Sequence, residues 1–288
     1  MEKSSQNDEH IIEAIGRSRI VIRNGVVIEV GDAQIRDCPL AKRFGLPVPE
    51  IRKDLIKANI EHRIKTFGMC TARREVIDNR EFVGFGASEL LSFSVRAGLI
   101  DAVVIACDGA GTVIVTKPEM IQGIGGRMSG LVSTSPIPEV IARIEENGGI
   151  VVDPDHASMD QMAGVTRAYK EGYKKVAVTV ATPDVAHQAR HAFPDIVIIG
   201  VHVTGLNKEE AEVLVAASDL VTSCASKTIR DAAGPKAKIQ AGVSVPVFAM
   251  TAKGKEIIIE KMRQTDEQIL IKPTRLPALT GQQPDPLV

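Results

Sequence analysis

The sequence predicts an α/β protein: a mostly parallel sheet with helices on both faces, preceded by a small N-terminal β-hairpin element. Three observations carry that expectation. From about residue 82 onward, short apolar runs rich in β-branched residues recur at 102–106, 150–152, 176–180, 196–201, 220–222 and 245–249. Between several of them lie helically patterned stretches, among them 158–171, 183–192 and 208–218. Continuous apolar strands alternating with helices indicate a parallel sheet buried on both sides. Ahead of them, residues 19–30 alternate apolar residues about Asn24-Gly25, the strongest short-range hairpin signal.

The remaining elements follow in chain order. Cys38-Pro39 and a loop holding Pro47 and Pro49 separate the hairpin from an amphipathic helix over 50–66. Ile51, Leu55, Ala58, Ile60 and Ile64 give that helix its apolar side, and Gly68 is its natural stop. The helix from 208 has a clean start, with Asn207 as cap and Glu210 three residues on, a variant of the capping box. From 264 a tail with Pro273, Pro277, Pro284 and Pro286 should be extended or mobile. The expected organisation is a hairpin-plus-helix region at 1–80, a Rossmann-like α/β domain at 81–263 and a Pro-rich tail at 264–288. No internal repeat shows.

Composition narrows the function classes. The chain has 288 residues, 35 basic and 36 acidic side chains, a net charge of -1 and no Trp. With no basic excess and no block of like charge, nucleic acid and an anionic membrane surface are poor main partners. Residues 1–9 are polar, and no apolar run is long enough to span a membrane. The four cysteines lie too far apart for the framework of a small secreted fold, so the expected compartment is the cytoplasm.

In open α/β sheets, ligands bind outside the carboxyl ends of the strands. If the strands are parallel, Cys107, Asp108, Asp153, His202, Cys224 and Lys227 converge there. Asp108, His202 and Lys227 are the candidate catalytic groups, able to handle protons or substrate charge. Cys38, Cys70, Cys107 and Cys224 are candidate ligands of an iron–sulfur cluster or a metal, since thiolates from separate loops can hold either. No C-x-x-C pair is present, and the competing readings are packed, inert thiols or a nucleophilic Cys224 activated near Lys227.

Two glycine-rich segments are candidate cofactor-binding loops. Gly109 and Gly111 follow a strand, but residues 113–115 read as another strand, outside the context of a dinucleotide fingerprint. Gly123, Gly125 and Gly126 precede Arg127 and Gly130. Such a run either forms an anion nest, with Arg127 clamping a phosphate or carboxylate, or makes a tight turn. His202 is either a base or ligand, or a structural strand-end residue. Asp153-Pro154-Asp155-His156 reads as a turn, His187 and His191 as an exposed helical pair, and Lys42-Arg43 and Arg73-Arg74 as surface charge.

Together, Cys38-Pro39-Leu40, Phe67-Gly68-Met69-Cys70-Thr71, Phe85-Gly86-Ala87-Ser88-Glu89, Cys107-Asp108-Gly109-Ala110-Gly111-Thr112-Val113, Gln122-Gly123-Ile124-Gly125-Gly126-Arg127 and Cys224-Ala225-Ser226-Lys227 resemble the methanogenesis marker protein 8 family. The resemblance runs from about residue 10 to 261. It implies an archaeal, cytoplasmic role in methanogenesis, in cofactor assembly or in maturation of methyl-coenzyme M reductase. It brings no catalytic residues with it.

Three functional expectations result. The first is an enzyme or assembly factor with a cysteine-held iron–sulfur or metal centre. The second is a metal-free transferase or ligase acting on an anionic small molecule. The third is a non-catalytic binding module that docks on methyl-coenzyme M reductase or its assembly proteins.

Overall fold

The computed structural model describes residues 8–128 and 130–288. Two sheets organise the chain. The larger has eight strands in the order β11-β12-β10-β9-β8-β4-β5-β7. In chain order these are β4 (Ala102–Cys107), β5 (Gly111–Val115), β7 (Ile150–Val151), β8 (Val176–Val180), β9 (Val197–Gly200), β10 (Leu220–Thr222), β11 (Ile239–Ala241) and β12 (Val247–Ala249). The ladders β4–β8, β8–β9 and β9–β10 are parallel. Only β5 and β12 run against the rest, so six of the eight strands share one direction.

Alternation along each strand sends neighbouring side chains to opposite faces, and each face has its own core. Val103 and Ile105 of β4 pack with Leu90, Ile121, Val140 and Ile257. These come from α2 (Ala87–Arg96), α3 (Pro118–Gly125), α4 (Pro138–Glu146) and α9 (Ala252–Gln264). Ala102 and Val104 point the other way, towards Val165, Ala186, Leu214 and Ile229. That layer is α5 (Gln161–Lys170), α6 (Pro183–Ala192), α7 (Lys208–Ala217) and α8 (Lys227–Ala233). The expected mostly parallel sheet with helices on both faces is therefore the architecture observed. Asn207 caps α7 in a full capping box with Glu210.

The smaller sheet is antiparallel, with β1 (Glu9–Glu13), β2 (Arg19–Arg23), β3 (Val26–Val30) and β6 (Gly130–Thr134) in the order β3-β2-β1-β6. Asn24 and Gly25 turn the β2–β3 hairpin, both at positive φ. The fourth strand comes from between α3 and α4, over a hundred residues further along the chain: His10 of β1 pairs with Thr134 of β6. The N-terminal hairpin thus precedes the α/β sheet as expected, and β6 links the small sheet to it. The small sheet's open face is covered by α1 (Lys53–Phe67), which buries Ile56, Ile60 and Ile64 and leaves Ala58 exposed. Gly68 ends α1 in the left-handed conformation, at a φ of 76°.

The Pro-rich tail is extended and tied down. Asp285 bridges to Asp37, and Val288 exchanges backbone hydrogen bonds with Ala225 and Lys227, each 2.9 Å long. Among the described residues no helix is long and apolar enough to cross a membrane.

Candidate functional site

A cleft of about 790 Å³ opens where the two sheets meet, a size suited to a substantial organic ligand. Its floor is the carboxyl edge of the parallel strands: Ala106 stands one residue before the end of β4, Thr179 near the end of β8 with Ala181 just after it, His202 follows β9, and Thr222 ends β10 with Cys224 beyond it. The 39–46 loop and α1 make one wall, residues 80–89 a second, and the 242–247 turn a third. This is the position that parallel-strand topology assigns to ligands.

Helix α1 supplies the polar wall. Asn59, His62, Arg63 and Thr66 all line the cleft, and their i, i+3, i+4, i+7 spacing places them on one stripe of the helix. The isoleucines at 56, 60 and 64 occupy a neighbouring stripe and hold the helix on the small sheet. Asn59 Nδ2 donates 2.6 Å to the carbonyl of Leu46, fixing the 39–46 loop against the helix. His62 Nε2 lies 3.3 Å from Thr66 Oγ1. Arg63 donates to the carbonyl of Arg127, and enclosure by protein together with nearby Arg74 pushes its guanidinium down to about 10. Arg43 reaches the same cleft from the loop, exposed and without an ion pair among the described residues. It is surface charge, as the sequence predicts, that borders the cleft.

Phe67 closes the inner end of this stripe and sits under three guanidinium groups. Arg127, Arg74 and Arg63 lie 4.9, 5.2 and 5.8 Å from its ring centre. Each has a different anion or acceptor. Arg127 ion-pairs with Asp78 and, at 2.9 Å, with Glu75. Burial opposes ionisation of Asp78, but hydrogen bonds from Arg80 and Arg127 outweigh it and hold the carboxyl down to about 2. Arg127 therefore has internal carboxylates where a ligand clamp was expected.

The glycine run beside Arg127 forms no anion nest. Gly123 and Gly125 lie within α3, and Gly126 continues in right-handed helical geometry. A nest needs alternating handedness, and this segment has one. Gly123 serves packing instead: a methyl group there would collide with the carbonyl of Val76. Gly109 and Gly111 turn β4 into β5, both at positive φ, and the Gly109 amide donates 2.8 Å to Thr134 Oγ1.

Asp108 is wholly buried beneath the cleft. Arg74 Nε donates 2.8 Å to its Oδ1, and the Cys70 amide donates 2.6 Å to its Oδ2. Burial disfavours the charged carboxyl, but Arg74 outweighs this and keeps it below the usual carboxylate range. Arg74 also donates to the carbonyls of Glu75 and Gly123, closing the end of α3. Both residues have no exposed surface, so Asp108 is a structural anion here and Arg74 is not surface charge.

The four cysteines are free and fall into two neighbourhoods. Cys70 and Cys107 flank Asp108, and burial, then the adjacent carboxylate, push the Cys70 thiol well up and Cys107 to about 12. Cys107 Sγ donates to the Asp108 carbonyl. Cys224, close enough to Cys38 for their charges to interact, lies at the cleft and is likewise raised by burial. Cys70 and Cys107 thus share one neighbourhood, and Cys38 and Cys224 another. Among the described residues no group of three or more His, Cys, Asp or Glu side chains could hold a metal ion.

His202 does reach the cleft floor. It has a left-handed backbone, with φ of 55°, a conformation uncommon outside glycine and frequent at functional sites. The ring is open to water in the cleft yet enclosed by protein, and that loss of bulk solvation pushes it down to about 4. Lys227 is elsewhere: exposed and ion-paired with Asp231. Asp153 also stays away from the cleft, accepting hydrogen bonds from the His156 amide and Ser158 in the expected turn. The helical pair His187 and His191 is exposed.

Fold and site together define an α/β protein with a ligand-sized cleft at the carboxyl edge of its sheet. The chain belongs to the family described as "Uncharacterized protein conserved in archaea (DUF2099)", whose model matches residues 10–263. It is 44% identical over 285 residues to Uncharacterized protein MJ0054 of Methanocaldococcus jannaschii, covering 98% of this chain and 100% of that relative.

Proposed function

We propose that this chain is a transferase or ligase acting on a small organic anion in the cleft, with His202 moving a proton. One observation carries the reading: cationic side chains from α1 and the 39–46 loop converge on a cleft floored by parallel strand ends. Enclosure strengthens the attraction between an anion and these groups relative to water. His202 is neutral at physiological pH before ligand arrives. An anion bound beside it favours the imidazolium and so raises its affinity for a proton. Binding would thus turn a weak base into an effective one. The resemblance to the methanogenesis marker protein 8 family supports a setting in cofactor assembly or methyl-coenzyme M reductase maturation. The division of the cysteines between two neighbourhoods, with no group of three or more ligand side chains among the described residues, supports this reading over a cysteine-held cluster.

The test is thermal unfolding in a panel of phosphorylated, sulfonated and carboxylated small molecules at constant ionic strength. A true ligand at ~100 times its Kd should raise Tm by about 5 °C or more. Arg63→Gln should lose most of that shift. The reading fails if no anion shifts the wild type, or if the variant responds equally.

A further inference from the structure

The tail carries an apolar surface of its own, outside the cleft. Residues 266–275 are exposed without a break, and none of them lines the cleft. Within this run stand Ile269, Leu270 and Ile271, exposed at 40, 83 and 77%. The last two are the most exposed large apolar side chains among the described residues. Also among the described residues, no backbone group of 268–276 has a backbone hydrogen-bond partner. An extended, apolar, unpaired segment is a ready template for another strand. The chain holds it out at both ends: α9 stops at Gln264, and Gln240 grips Ala278 with hydrogen bonds of 2.5 and 2.8 Å. Four charged side chains flank the apolar centre, Asp266 and Glu267 before it, Lys272 and Arg275 after it. None of the four has an ion pair among the described residues.

We propose that this segment pairs with its counterpart in a second copy of the chain, as an antiparallel two-stranded ladder about a twofold axis at Leu270. A pair centred there sets Leu270 opposite the partner's Leu270 and Ile269 opposite the partner's Ile271, so each apolar residue meets another. Diagonal neighbours on one face of such a pair lie within reach of long side chains. Asp266 is then diagonal to the partner's Lys272 and Glu267 to the partner's Arg275, and the symmetry repeats both contacts. A parallel pair would set acid against acid and base against base, which destabilises. The occupant is thus written in the segment: its charge order complements itself only when reversed. Pro273 has no N–H to donate and ends the ladder beyond Lys272. The twofold closes the assembly at two copies and leaves no growing edge. The contact is small, so the dimer is weak and forms only in concentrated protein.

The test is sedimentation equilibrium of the full chain from about 5 µM to about 1 mM, a range that brackets a weak contact. The wild type should pass from monomer towards dimer across it, and less so as salt rises. Leu270→Asp should weaken association about tenfold or more. Its unfolding temperature should match the wild type, because Leu270 is exposed within the single chain. A charge exchange tests the pairing itself. Asp266→Lys with Glu267→Lys, and Lys272→Glu with Arg275→Glu, should each give a monomer, while an equimolar mixture of the two variants should dimerise. A wild type that stays monomeric at the highest concentration would overturn the inference, as would a dimer that ignores Leu270→Asp. Variants that stay apart when mixed would overturn the pairing, and association that strengthens with salt would overturn its antiparallel order. The cleft reading stands or falls separately, since no residue of this segment lines the cleft.

Discussion

Arg74 and Arg63 lie near the same phenylalanine and face opposite worlds. Arg74 is wholly buried, paired at 2.8 Å with an equally buried Asp108, and its remaining donors meet helix-end carbonyls. Arg63 borders the cleft, where a ligand can reach it. The first guanidinium joins the segment after α1, the carboxyl end of α3 and the β4–β5 turn into one body; the second stands on the cleft wall. A charged residue at the carboxyl edge of a sheet is thus not by that position a functional one. What separates the two is whether the cleft reaches the guanidinium.

Breaking the buried pair should give the largest effect. Arg74→Leu leaves Asp108 ionised and uncompensated, and should cost about 3–5 kcal/mol in urea unfolding. Replacing both residues should cost less than the sum of the single changes, the signature of direct coupling. Arg63→Gln should cost about 1 kcal/mol or less. Equal losses at the two arginines would erase the distinction.

A smaller effect sharpens the contrast within the glycine run. Gly123→Ala drives a methyl group into the Val76 carbonyl and should destabilise by about 1–3 kcal/mol. At Gly125 a Cβ would meet only Ser88, at 3.5 Å, so alanine there should be neutral or stabilising by about 1 kcal/mol. An anion nest would predict the reverse emphasis, with ligand binding rather than stability lost at both positions.

The smallest effect concerns His202. Its folded-state pKa of about 4 lies below the ordinary 6.5, so the unfolded chain binds the proton first as pH falls. Its contribution is fully present above pH 6.5 and is lost as pH drops towards 4. Asn tolerates the left-handed backbone and does not titrate, so His202→Asn should show a shallower loss of stability across that window. The buried His10, also lowered by desolvation, contributes equally to both proteins and cancels in the difference. Parallel curves would show that His202 titrates normally.

The strands and the hairpin were legible because their signals are local: β-branched runs, Asn24-Gly25, Asn207 with Glu210. His202 and Cys224 reach the cleft for the reason read from sequence, as residues that follow parallel strands. Two things were not legible. Helix α3 hid behind glycines that a turn would also use, because the close approach of Val76 that demands Gly123 is a tertiary fact. The fate of each arginine was equally hidden, since Asp108, Asp78 and Glu75 are distant in sequence from the guanidinium groups they neutralise. The cleft-facing stripe of Asn59, His62, Arg63 and Thr66 was readable from its spacing, but only once the neighbouring stripe is known to face a core.

The most direct test places the two kinds of charged residue side by side. The dissociation constant of butyl phosphate should be measured for the wild type, Arg63→Gln and Lys227→Ala under identical salt. The account predicts that Arg63→Gln weakens binding about tenfold or more, equivalent to about 1.4 kcal/mol, while Lys227→Ala leaves it unchanged. Unaltered affinity in Arg63→Gln, or a loss confined to Lys227→Ala, would contradict it.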